Sequence, residues 1–203
     1  MRLKSWKVPA LILVILSVVI LSVPYVVVPA RGSQLYEGDW CSFEVPDGCT
    51  VSSEDNDMIT LDKDISDYEW MTLSVHRFRD VIKPSDDVDD LDYKLRQHLE
   101  KFISRFEKIL QGERLIGDRI YSVYESPEIK IKDGSHGRTA YDIREYENPD
   151  GEIMCYTWAE GDDIVRITLY RIDLFSYWMG PPDSSFDPEG TINDAYESFV
   201  YYD

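Results

Sequence analysis

The chain has 203 residues and a mass of 23.6 kDa, enough for one domain with a short appendage. Its first thirty residues carry Arg2, Lys4 and Lys7 and no acid, which leaves 18 Lys and Arg against 39 Asp and Glu over the other 173, a net −21. Such a surface excludes nucleic acid as a partner, because counterion release from phosphates requires clustered cations.

Val8 to Ala30 is a run of 23 uncharged residues, fifteen of them Val, Ile or Leu, held between Lys7 and Arg31. As a helix it would reach about 34 Å, enough for a hydrocarbon core of about 30 Å. The three cations before it and the acids Glu37 and Asp39 after it orient the short tail toward the cytoplasm. The expected organisation is a cytoplasmic tail over residues 1–7, a transmembrane signal-anchor over 8–30 in contact with membrane lipid, a tether over 31–41 and an extracytoplasmic domain over 42–203. The alternative is a cleaved leader, with small residues near Val28 and Ala30 for a peptidase; the run exceeds the usual apolar core of a leader, about 7 to 15 residues.

Beyond the cytoplasm, Cys41 and Cys49 form a candidate disulfide closing a small loop, worth about 2 to 3 kcal/mol. The competing expectation is that Cys41, Cys49 and Cys155 are all buried thiols. His76, His98 and His136 are scattered without zinc-ligand spacing.

In chain order, Ser42 to Val45 alternates as a strand and stops at the turn Pro46-Asp47-Gly48. Met58 to Leu61 and Trp70 to Val75 read as further strands, separated by an acidic linker from Asp62 to Glu69. Val88, Leu91, Leu95, Leu99, Phe102, Ile103, Phe106 and Leu110 recur at steps of three and four, which predicts a helix of about five turns started by Ser85 or Asp86. Strand signals return at Leu115-Ile116, Arg119 to Tyr124, Arg138 to Tyr146, Ile153 to Trp158 and Ile164 to Arg171. Turns are expected at Asn148 to Gly151 and Glu160 to Asp163. Helical spacing resumes from Thr191 to Tyr202. The fold class is α+β: an antiparallel sheet flanked by helices.

The opening Phe43-Glu44-Val45-Pro46-Asp47-Gly48 and the closing Ile192-Asn193-Asp194-Ala195-Tyr196-Glu197-Ser198-Phe199 give the segment from Ser42 to Val200 a pattern that resembles the PsbP-like superfamily. Cys49 stands where an aromatic commonly follows the glycine. The resemblance implies an α-β-α sandwich with six or more antiparallel strands, usually a non-catalytic binding or assembly component. Members include photosystem accessory subunits, bacterial lipoproteins and a nuclear factor that binds a small GTPase. It carries over no site residue, cofactor or metal ligand.

Three features invite chemistry. The acids Glu54, Asp55, Asp57, Asp62, Asp64 and Asp67 suit calcium by type but lack the spacing of an EF-hand loop, so a solvated acidic surface is expected. Ser135-His136, between Gly134 and Gly137, sets a hydroxyl beside an imidazole without the strand-turn-helix context of a nucleophile elbow; a hairpin tip is expected. Phe175, Tyr177, Trp178 and Met179 form a candidate interaction patch, because aromatics and Met dominate interface cores, unless they plug one end of the sandwich. The expected function is a membrane-anchored binding or assembly module, without catalytic activity or cofactor, that engages an envelope or membrane protein. The alternatives are a cell-envelope hydrolase and a weak calcium-binding surface protein.

Overall fold

The computed structural model describes residues 32–67, 69–117, 122–124, 129–147, 150–173 and 186–202. The folded unit is Ser33–Asp203, and Met1–Gly32 is a separate unit. No helix among the described residues is long and apolar enough to cross a membrane; the apolar run from Val8 to Ala30 lies outside them.

The strands are β1 (Ser33–Glu37), β2 (Cys41–Pro46), β3 (Thr50–Glu54), β4 (Met58–Ser66), β5 (Glu69–Phe78), β6 (Ser122–Tyr124), β7 (Lys130–Gly134), β8 (Gly137–Glu147), β9 (Asp150–Glu160), β10 (Asp163–Asp173) and β11 (Val200–Tyr201). The helices are α1 (Val88–Gly117) and α2 (Pro188–Glu197). Among the described residues, one sheet has three strands in the order β1-β2-β11. The other has eight, in the order β3-β4-β5-β10-β9-β8-β6, with β7 paired to β8. All pairings are antiparallel.

Alternation along β9 and β10 sends side chains to both faces of the large sheet. One face carries Ile153, Cys155 and Ile164, which join Leu95, Leu99 and Ile103 of α1. The other carries Met154, Tyr156, Trp158, Val165, Ile167 and Leu169, packed with Phe43 and Val45 of the small sheet and with Ile192, Ala195 and Tyr196 of α2. A central strand covered on both faces explains why β10 is buried without a break from Ile164 to Leu169, Arg166 and Thr168 included. The result is the α+β arrangement of an antiparallel sheet with helices against its faces.

Several local expectations change. Ser33–Glu37, expected within the tether, is a strand registered on β2, with Tyr36 buried beneath it. The supposed acidic linker belongs to β4, which runs to Ser66 and pairs with β5 through Ser66↔Glu69. The helix start lies at Asp87, whose Oδ1 accepts the Asp90 amide at 2.9 Å, while Asp86 Oδ2 accepts the Lys83 amide at 2.7 Å. Val88 is exposed rather than part of the stripe. Leu115 and Ile116, expected as strand, extend α1 to Gly117, the helix continuing through Gly112. The chain end leaves helix at Glu197 and adds β11 to the free edge of β2, through Val200↔Ser42 and Tyr201↔Cys41. The turn after β2 forms as expected, with Gly48 at φ +84°, a conformation that carries little penalty only for glycine.

Candidate functional site

The hairpin β7–β8 places Ser135 and His136 at its tip, between the paired Gly134 and Gly137. They do not act on each other. The Ser135 hydroxyl donates to Glu197 Oε2 at 2.5 Å. His136 Nδ1 lies 3.0 Å from Glu160 Oε1, and its Nε2 lies 2.8 Å from the Tyr196 carbonyl. Each ring nitrogen thus faces an acceptor of the fold, and neither faces the Ser135 hydroxyl, which is turned to Glu197. The imidazole packs on Trp158, Tyr196 and Phe199 at centroid distances of 5.2, 5.1 and 5.9 Å. Tyr196 Oη meets Thr139 Oγ1 at 2.7 Å. A Cβ on Gly134 would sit 2.2 Å from that phenol oxygen, so the close approach requires glycine there. The hairpin tip expected from the flanking glycines is present, and it serves as a dock for α2.

The cysteines are all free and buried. Cys41 opens β2, whereas Cys49 lies past the turn, where its carbonyl accepts from Gln34 Nε2. Gln34 pairs with Val45 at the far end of the strand. Four residues of strand separate the two thiols, about 13 Å, and a disulfide needs Cα atoms within about 7 Å. The candidate Cys41–Cys49 bridge is therefore replaced by two buried thiols. Burial pushes Cys41 and Cys155 up to about 12 and raises Cys49, so none has the exposed thiolate that makes a cysteine reactive.

The acidic residues disperse into separate roles. Asp55 Oδ1 accepts the amides of Asp57 and Met58, both at 2.8 Å. Asp57 binds Arg79 at 2.6 Å and Arg77 at 3.3 Å, and these hydrogen bonds, that of Arg79 first, hold its carboxyl below the usual range. Asp62 accepts from Thr72 Oγ1 at 2.6 Å. Among the described residues no group of three or more His, Cys, Asp or Glu side chains converges as metal ligands. The patch Phe175, Tyr177, Trp178 and Met179 lies outside the described residues.

Two arginines on β10 form the sites that sequence reasoning missed. Arg171, on the small-sheet side, is surrounded by acid: Nε to Glu69 Oε1 at 2.6 Å, Nη1 to Glu152 Oε1 at 3.2 Å and Nη2 to Asp173 Oδ2 at 3.6 Å. Arg166 has the opposite parity and faces α1. It is 6% exposed, and its guanidinium lies over Phe102 at 4.1 Å and Phe78 at 5.0 Å. Phe78 in turn contacts His76 at 6.0 Å and His98 at 4.9 Å. Burial, more than any charge, lowers Arg166 to about 10.

Burial first and Arg166 second push His76 down to about 4, against a small opposing effect of Asp55; burial, Lys101 and Arg166 lower His98 in the same way. The unfolded chain takes up the His76 proton near pH 6.5 and the folded chain only near pH 4. Across that window the unfolded state binds more protons, so stability falls as pH falls. Allowing for partial exposure, the wild type should lose about 2 kcal/mol more than His76→Gln between pH 7 and 4.5. Urea midpoints measured over that range check it, and parallel curves for the two proteins would contradict it.

No family model matches the chain, and no curated protein matches it. Solved structures do. The Ran-binding protein Mog1p of Saccharomyces cerevisiae superposes with a TM-score of 0.50 at 10% identity, covering 84% of this chain and 96% of that one. The cyanobacterial PsbP of Synechocystis sp. gives a TM-score of 0.49 at 12% identity, covering 87% and 96%. The unit from Ser33 to Asp203 thus has the Mog1/PsbP-like fold that the Phe43–Gly48 and Ile192–Phe199 patterns implied, a likeness of fold between highly divergent sequences.

Proposed function

We propose that this chain is a membrane-anchored binding or assembly module whose acidic domain stands outside the cytoplasm and carries no catalytic activity of its own. The observation that carries the binding reading is the commitment of Ser135 and His136 to docking α2, in a fold shared with a protein described as Ran-binding. Fold alone assigns no partner. The anchor rests on the 23-residue apolar run and on Arg2, Lys4 and Lys7 before it. The alternatives of hydrolysis and calcium binding have no comparable support, given the geometry of the hairpin tip and the dispersal of the acids.

The experiment has two readouts. In fractionated cells the full chain should pellet with membranes, and protease added to intact cells should digest the domain while a tag on residues 1–7 stays protected. Crosslinking in the same cells should yield one discrete heavier species containing an envelope or membrane protein. Recovery of the uncleaved chain in the soluble fraction overturns the anchor; a uniformly monomeric product after crosslinking overturns the assembly role.

A further inference from the structure

Arg166 and Arg171 lie on one strand and are buried to similar degrees, yet their surroundings are opposite. Arg171 faces three carboxylates. Arg166 makes no hydrogen bond or ion pair with any described residue, and its buried Nε is unpartnered. Beyond burial, the nearby cation Arg105 also disfavours its charge. Directly across the strand pair, Thr157 is fully buried and its Oγ1 also lacks a partner. Among the described residues, a cation and the hydroxyl of its cross-strand neighbour are thus left without an acceptor, on the face of the sheet that α1 covers. An unpaired buried charge costs several kcal/mol, and a buried polar group without a partner costs more than an apolar replacement of the same shape. Phe78 and Phe102 lie over the guanidinium at 5.0 and 4.1 Å, contacts that engage its π face and satisfy none of its N–H donors. Phe102 continues an aromatic row through Phe106, at 6.2 Å, to Tyr170, a further 4.9 Å on.

We propose that the seam between α1 and the large sheet binds a small organic monocarboxylate, its carboxylate held by Arg166 and the Thr157 hydroxyl and its apolar body lying along Phe102, Phe106 and Tyr170. The chemistry selects the class. A planar carboxylate matches the fork of a guanidinium with two parallel hydrogen bonds. Arg166 supplies a single positive charge, so a monoanion closes the balance, whereas a dianion such as phosphate would leave buried negative charge. The aromatic row favours a ligand with an apolar body over acetate or chloride. This inference goes beyond the binding reading above and is independent of the anchor.

The test is thermal unfolding of the full chain in non-ionic detergent with benzoate as the probe, against benzamide as its neutral isostere and inorganic phosphate as the dianion-bearing alternative. Benzoate should raise the Tm saturably, by about 5 to 10 °C at a hundredfold excess over its Kd; benzamide should leave it unchanged. Arg166→Met should abolish the benzoate shift while melting no lower than the wild type without ligand, because replacing an unpaired buried charge by an apolar side chain is neutral or stabilising. Thr157→Val keeps the shape and should weaken the benzoate response severalfold. The proposal is overturned by no benzoate shift in the wild type, by an equal shift with benzamide, by a shift confined to phosphate, or by a benzoate response that survives in Arg166→Met.

Discussion

Trp158→Ala should lower the unfolding free energy by about 4 kcal/mol, within the usual range of about 3 to 5 for a large buried aromatic, read from the urea midpoint at constant slope. Trp158 is fully buried at the meeting point of hairpin, sheet and α2. Its ring contacts His136 at 5.2 Å, Tyr196 at 5.2 Å and Phe199 at 5.1 Å, and its Nε1 donates to Glu160 at 2.7 Å. Glu160 is the same carboxylate that orients His136. Truncation therefore removes core volume and frees one partner of the hairpin dock together. Trp158→Phe separates these effects: it keeps most of the ring but loses the indole N–H, and should cost about 1 to 2 kcal/mol. A loss below about 1 kcal/mol for the alanine variant would mean that α2 and the hairpin are not joined through this ring. Total stabilities run about 5 to 15 kcal/mol, so the alanine variant should also unfold at a markedly lower temperature.

The legible parts of the fold are those in which one element's own residues suffice. Leu95, Leu99 and Ile103 can share a face only on a helix, and they do. Met71, Leu73 and Val75 alternate as a strand, and all are fully buried. The illegible parts are stabilised from outside. Thr50–Glu54 is exposed at every position and shows no alternation, yet it forms a strand because β4 offers it an edge. Ser33–Glu37 buries only Tyr36, too little for a pattern. Val200–Tyr201 is two residues long and exists only through β2. Cys41 and Cys49, eight residues apart in sequence, are separated by a strand whose full length their spacing did not reveal. At the candidate sites, His136 reads as a hairpin tip from its flanking glycines, but its partners Glu160 and Tyr196 arrive from other strands and helices. The parity of Arg166 and Arg171 is written in β10; which of them meets acid is not, because Glu69 lies 102 residues from Arg171.

That long-range partnership carries the second large effect. Arg171→Met should cost about 3 to 5 kcal/mol, the usual loss when one member of a buried ion pair is removed. Arg171 meets Glu69 and Asp173, whose side chains are 2% and 1% exposed, and Glu152 at 24%. Glu69 and Asp173 are cross-strand partners at the end of β5 and β10, so like charges directly opposite each other share this cation; without it their repulsion is less well offset. Desolvation already raises the Glu152 carboxyl more than Arg171 lowers it, so this acid has little to spare when the guanidinium goes. Arg171→Lys keeps the charge but not the fork that reaches several oxygens at once, and should fall between wild type and the methionine variant. The double variant Arg171→Met/Glu69→Gln discriminates a charge effect from loss of packing. If buried carboxylate charge is the cause, removing Glu69's charge should recover at least about 1 kcal/mol of the single-variant loss, a coupling well within the range for contacting residues. Strictly additive losses would assign the effect to packing of the arginine stem instead. The contrast with Arg166 then becomes quantitative: a methionine at 171 destabilises an arginine-carboxylate cluster, whereas a methionine at 166 removes a cation that no carboxylate among the described residues meets.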